Sequence, residues 1–294
     1  MKTKKMKTLL CLLLSIVIIA PASASASASA TNFTTTTTTT TINKYKEDDT
    51  NHDHQIFTKL AAKFWGLSDE RIKNIALGAK MPDITQSGFS GNFNQQWSHG
   101  LLYGKNQKRM WGDADQDFEG NLMGNLSGNN EGWNHSSADI FYSKNDQKNG
   151  DWYIGYASHY IVDVTTPVHS TNPLLNRLDV LTHHFDFELW IANNLEGGHR
   201  LLDAAINDKE YYTITDPRKN LQDVAWKACY WNIENGYGKI LWDLYKKDGY
   251  PTKENSGSPE LVDNAKIMIV EAVRWARGTI KWGLDQYNQW ADQY

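Results

Sequence analysis

The sequence predicts an all-α fold, a single compact multi-helix domain over residues 51–294, and three observations carry that reading. Apolar residues recur at helical spacing in one segment after another. Helix-start signals precede several of those segments, as in Ser68-Asp-Glu-Arg and Ser258-Pro259-Glu260. Strand-like alternation of apolar and polar residues is scarce.

Taken in order, residues 1–30 read as a secretory signal peptide. Lys2, Lys4, Lys5 and Lys7 form a basic start, Leu9 to Ala20 an apolar run too short for a confident membrane span, and PASASASASA offers A-x-A cleavage sites. The expectation is a secreted, extracellular protein. Loss of the four lysines would move the formal charge from −4 to about −8, which disfavours a polyanionic partner unless offset locally. Cys229 would then be the sole cysteine, so no intrachain disulfide is possible. Residues 31–50, TNFTTTTTTTTINKYKEDDT, are polar and of low complexity, and read as a disordered linker. The remainder is long enough to bury one substantial core.

Within that domain His54, Phe57, Ala61 and Phe64 form a helical stripe, and a second helix begins at Ser68 with Gly78 placed to close it. From Ile84 to Gly150 the chain is rich in Gly, Asn and Asp and reads as a long loop, the kind that tends to carry function. Asp113, Asp115, Asp117 and Glu119 in this loop resemble a calcium-binding series. Phe118 stands where an EF-hand requires Gly, however, so a solvated acidic turn is expected. Trp152 to Val164 is apolar nearly all round and reads as a buried helix. Leu221–Tyr245 continues in helical style. Leu261, Ala265, Ile269, Ala272, Ala276 and Ile280 mark the buried face of a last helix. The twelve tryptophans are expected in helix packing.

The chemistry concentrates in HYIVDVTTPVHSTNPLLNRLDVLTHHFDFE, His159 to Glu188. His159 and Asp163 stand four apart, as do His184 and Glu188, so each pair projects from one helix face in adjacent turns. Pro167 disfavours helix at Thr166, ends the first helix near there and delivers His169 from the following turn. A single His-x3-Asp on an apolar helix is ordinarily a hydrogen-bonded core pair. Two such pairs within thirty residues, with a further His after a Pro, point instead to a metal site. Imidazole mixed with carboxylate suits zinc rather than calcium or magnesium.

HYIVDVTTPVH resembles the signature of secreted zinc-dependent phospholipases C, a His-Tyr-x-x-Asp-Val-x-x-Pro-x-His segment followed some fifteen residues later by His-x3-Glu. The likeness runs in order from His54 to Glu188 and includes His54 with Ala61, and Asp83 with Ser98-His99. Beyond Glu188 it extends only to helical character. The resemblance implies two to three zinc ions. Asp83, His99, His159 and Asp163 would hold the first, and His169, His184 and Glu188 the second. Asp163 would bridge to a third held also by His54. In the family an N-terminal Trp completes that third site. This chain has no Trp between the signal and His54, so His52, or a terminus exposed by processing of the linker, would stand in.

The implied reaction is phosphodiester hydrolysis by metal-activated water, releasing diacylglycerol and a phosphorylated head group from phospholipid. Asp83 is the candidate catalytic carboxylate, alongside its role as ligand. Contact with a membrane surface would come from Phe89, Phe93, Trp97 and Trp111. Two other readings compete: a single-strand nuclease of the same superfamily, acting on nucleic acid, and a non-catalytic helical protein stapled by metal.

Overall fold

A computed structural model describes residues 53–85, 99–124, 136–171, 184–247 and 257–292, all within one compact unit, Asp49–Tyr294. The segments read as signal and linker lie outside the described residues. So do Phe89, Phe93, Trp97, Ser98 and His183. The fold is all-α as expected, with eleven helices and one two-stranded sheet among the described residues.

Helix α1, Asp53–Phe64, buries Phe57 and Ala61 and leaves His54 half-buried at its amino end. Gly66, at φ +67°, turns the chain into α2, Asp69–Thr85, which carries Asp69 and Glu70 in the first turn where the helix dipole favours negative charge. Gly78 does not close α2. It is instead the point at which α2 crosses α5, Gln147–Asp163. A Cβ on Gly78 would lie 2.0 Å from the Trp152 carbonyl oxygen, and one on Gly155 only 1.8 Å from that of Ile75. Two glycines therefore let the helix backbones touch, which no larger residue permits. The crossing brings Ala79 and Asp83 beside His159 and Asp163.

The stretch expected as one long loop holds regular structure. Strand β1, Leu102–Tyr103, pairs antiparallel with β2, Arg109–Trp111, through a short 3₁₀ turn at Lys105–Gln107. Helices α3, Ala114–Met123, and α4, Ala138–Tyr142, follow. Ala114, Phe118 and Leu122 are fully buried at i, i+4 and i+8, a short apolar period inside a polar composition. The acidic series lies at the start of and along α3 rather than in a loop, and of its four members only Asp113 is exposed to solvent. Asp115 is buried against the Arg109 guanidinium at 2.8 and 2.9 Å and accepts from Gln222 at 2.7 Å, and Glu119 pairs with Arg218 at 2.6 Å.

Helix α5 is buried over most of its length, with Asp146 as its amino-terminal cap. Its buried early charge, Asp151, is held bidentately by Arg71 at 2.6 and 2.7 Å and accepts from the Tyr142 hydroxyl at 2.9 Å. Thr166 is extended, as a residue before proline must be, and Pro167 opens the single turn α6, Pro167–Ser170. Helices α7, His184–Leu195, and α8, Leu202–Asn207, follow. Leu221–Tyr245 divides into two elements, α9, Pro217–Ala228, and α10, Gly238–Lys247. The break forms because Asn232 turns its side chain inward onto the Trp226 carbonyl, and Gly236 and Gly238 pack where a Cβ would strike backbone. Helix α11, Pro259–Ala291, starts at Ser258, whose hydroxyl accepts from the Leu261 amide, and buries the stripe from Leu261 to Ile280. Trp190 and Trp242 are buried, and other tryptophans pack against the core. No described helix is long and apolar enough to cross a membrane.

Gly155→Ala should destabilise the protein by about 2 kcal/mol or more, because the new methyl has no room against Ile75. Gly120→Ala on α3, where nothing lies within 4 Å, should be neutral or stabilising. Thermal unfolding of the two variants checks the contrast.

Candidate metal centre

Four imidazoles surround the carboxylate of Asp163. His54 Nε2 lies 3.1 Å and His169 Nε2 3.7 Å from Oδ1, while His159 Nε2 at 3.0 Å and His99 Nδ1 at 3.1 Å face Oδ2. Each comes from a different place in the chain. His54 stands in the first turn of α1, and His99 precedes β1. His159 is one turn before Asp163 on α5, and His169 is presented by α6. Asp163 is buried with 3% exposure, and His159 is fully buried.

The acidic candidates Asp83 and Glu188 stand towards solvent. Asp83 Oδ1, on the last turn of α2, is 3.7 Å from His159 Nε2 and 3.9 Å from His99 Nδ1, with its side chain 42% exposed. Glu188 Oε1 is 2.9 Å from His169 Nε2. His184 begins α7 and so shares a helix with Glu188 one turn later; its side chain lies outside the described residues. Two groups have donor atoms within 4.8 Å of one another: His54 with His159 and Asp163, and Asp83 with His99 and His159. These groups can hold a metal ion.

The proton positions make the same point. His159 Nδ1 lies 2.9 Å from the Ala79 carbonyl, which can only accept, so this nitrogen carries the hydrogen and Nε2 presents a lone pair. That lone pair faces a carboxylate oxygen at 3.0 Å and the Nδ1 of His99 at 2.8 Å. Atoms at such distances can share a cation, either the proton of His99 or a metal ion. Burial lowers the pKa of His159 and outweighs the pull of Asp163, so a second proton on this ring is disfavoured. A backbone carbonyl that fixes the tautomer of a buried His is the usual support of a metal ligand.

Burial opposes ionisation of Asp163, yet the imidazoles of His159, His169 and His54 hold its carboxyl well below the usual range. At His99 burial acts to lower the pKa, but the hydrogen bond and charge of Asp163, with Asp83 behind it, raise it overall. Asp117, one of the acidic series noted in the sequence, is partly buried on α3. Burial and the like charge of Asp113 push its carboxyl up to about 7. Cys229 is buried and its thiol is pushed up to about 11 by burial, so it serves packing rather than nucleophilic attack.

The structure thus brings His54, His99, His159 and His169 around Asp163, with Asp83 beside His99 and His159 and Glu188 beside His169. The i, i+4 spacing with Pro167 between the pairs pointed to His159, Asp163, His169 and Glu188, whereas His54, Asp83 and His99 were implied by the resemblance alone. No protein-family model matches the chain, and no curated protein matches it.

Asp163→Asn should reduce bound metal more than any other single ligand change, because one carboxylate faces every imidazole of the cluster. His184→Ala should reduce it more than His183→Ala, since only His184 is one turn from Glu188. Elemental analysis of the purified variants measures both orders. A separate test concerns Asp117 in metal-free protein. Its folded pKa lies above the unfolded value, so its contribution to stability is present below about pH 4 and is lost as pH rises to about 7. Asp117→Asn should therefore raise the melting temperature relative to the parent more at pH 8 than at pH 4.

Proposed function

We propose that this chain is a zinc-dependent phosphodiester hydrolase of the phospholipase C type. The observation that carries the reading is the division of the Asp163 carboxylate, one oxygen beside His54 and His169 and the other beside His99 and His159. A carboxylate used on both oxygens by nitrogen donors suits more than one cation, and mixed imidazole and carboxylate donors suit zinc. The likeness of HYIVDVTTPVH to the zinc phospholipase C signature supports the substrate class. The basic, apolar and Ala/Ser-rich order of residues 1–30 supports export.

Zinc, when bound, acidifies a coordinated water to a pKa near about 7 and neutralises charge on a phosphoryl oxygen. The residues divide the remaining work by exposure. Asp163 and His159, held in the core, fix the geometry of the donors. Asp83, exposed at the rim, would take a proton from an entering water. His169 and Glu188 hold the opposite side, and their mutual distance of 2.9 Å keeps the Glu188 carboxylate oriented.

The purified protein is expected to contain two to three zinc ions per chain, and chelation should abolish activity and lower thermal stability, since a metal that binds only the folded state stabilises it by mass action. Glycerophospholipid should be cleaved on the glycerol side at least about a hundredfold faster, by kcat/KM, than single-stranded nucleic acid, roughly 2.7 kcal/mol in transition-state binding. Faster cleavage of nucleic acid would transfer the same metal cluster to a nuclease.

A further inference from the structure

We infer that the turn between α9 and α10, with the tip of the β1–β2 hairpin, forms the surface by which the protein docks on a phospholipid aggregate; the inference deepens the phospholipase reading and rests on it. Ile233 is 73% exposed, the most exposed of the large apolar side chains described. Its neighbours continue an amphipathic surface. Lys105 Nζ sits 4.9 Å over the Trp231 ring, Trp231 meets Tyr230 edge-on at 5.0 Å, and Lys239 Nζ lies 5.3 Å over Tyr230. Half-buried Trp and Tyr rings beside lysine ammonium groups, with an aliphatic side chain projecting beyond them, match the chemistry of a membrane interface. There, rings sit at head-group depth and ammonium groups meet phosphates.

The turn is rigid rather than a loose loop. Asn232 is 4% exposed, donates to the Trp226 carbonyl at 3.1 Å and accepts from the Asn235 amide at 3.4 Å. A Cβ at Gly236 would lie 2.7 Å from the carbonyl oxygens of Asn232 and Lys227. With Asn232 anchored inward, Ile233 is held outward, so its presentation costs little conformational entropy on docking.

Charge selects the occupant. Lys239 pairs with Asp243, whereas Lys105 and Lys108 are exposed at the hairpin tip without a carboxylate partner among the described residues. Glu234 is exposed next to Ile233. A small positive excess with a carboxylate among it suits a largely zwitterionic phospholipid surface, entered by Ile233 and the rings, rather than a polyanion. The surface also shares its frame with the metal centre. The Tyr230 amide donates to Thr171 Oγ1 at 3.0 Å, Thr171 bridges to Tyr103 on β1, and the Leu101 amide donates to the His169 carbonyl at 3.0 Å.

The test compares the full chain with Ile233→Glu and Ile233→Trp. Sedimentation with vesicles of phosphatidylcholine containing a minor fraction of phosphatidylglycerol measures docking. Hydrolysis of vesicle lipid and of a water-soluble aryl phosphorylcholine measures chemistry. Ile233→Glu should weaken vesicle partitioning and vesicle hydrolysis about tenfold or more, while cleavage of the soluble ester and the melting temperature stay unchanged. Ile233→Trp should strengthen partitioning. Equal partitioning of all three proteins would overturn the docking surface while leaving the phospholipase reading intact if lipid is still cleaved. Partitioning that follows Ile233 without any lipid cleavage would sustain the surface and remove the phospholipase assignment.

Discussion

A carboxylate buried in the core of a helical protein is the constraint from which the rest of this structure follows. Asp163 has almost no access to water, and an isolated charge there would cost several kcal/mol. It stays ionised because four imidazoles converge on it from α1, the segment before β1, α5 itself and α6. Those imidazoles are themselves buried or half-buried, and the lone pair of His159 points into the same space. The cluster therefore offers closely spaced donor atoms that could hold a metal ion.

Delivery of those donors depends on the backbone more than on the side chains. The glycine-lined crossing of α2 and α5 sets the Ala79 carbonyl at hydrogen-bond distance from His159 and sets Asp83 beside the cluster. Pro167 ends α5 and starts α6, so His169 turns back onto the Asp163 that precedes it by six residues. Strand β1, pinned to the His169 carbonyl, ties the hairpin to the same corner. His159 and Asp163 are held by packing in the core, and Asp83 and Glu188 stand at the exposed rim of the cluster.

The charges outside the cluster stabilise the frame. Arg277, 1% exposed, reaches Asp208 at 2.8 Å and the carbonyls of Ala205 and Glu210, and Arg274 adds a second guanidinium to Asp208. This network ties the segment after α8 to the long α11. The pair of Arg109 with Asp115, supported by Gln222, does the same between the hairpin, α3 and α9. Removing one partner of such a buried pair leaves an uncompensated charge, so these residues matter for folding rather than for chemistry.

The sequence by itself determined the all-α class, the buried α5, the Pro167 corner, the α11 stripe and the facing of His159 with Asp163. Helical period, proline stereochemistry and i, i+4 spacing are local rules. It did not reveal where helices stop. Gly78, a plausible helix end by local signals, proved to be a contact surface, because only the neighbouring helix distinguishes a cap from a close crossing. The Gly- and Asn-rich stretch hid β1, β2, α3 and α4, since Ala114, Phe118 and Leu122 make too short an apolar period to outweigh the surrounding composition. Leu221–Tyr245 broke in two because Asn232 found a backbone partner across the turn. Asp115 became a buried ion pair rather than a solvated acid because Arg109 and Gln222, one six residues and the other 107 residues away, were folded against it. Tertiary structure alone decided these, because each depends on a partner from another element whose position no local pattern encodes.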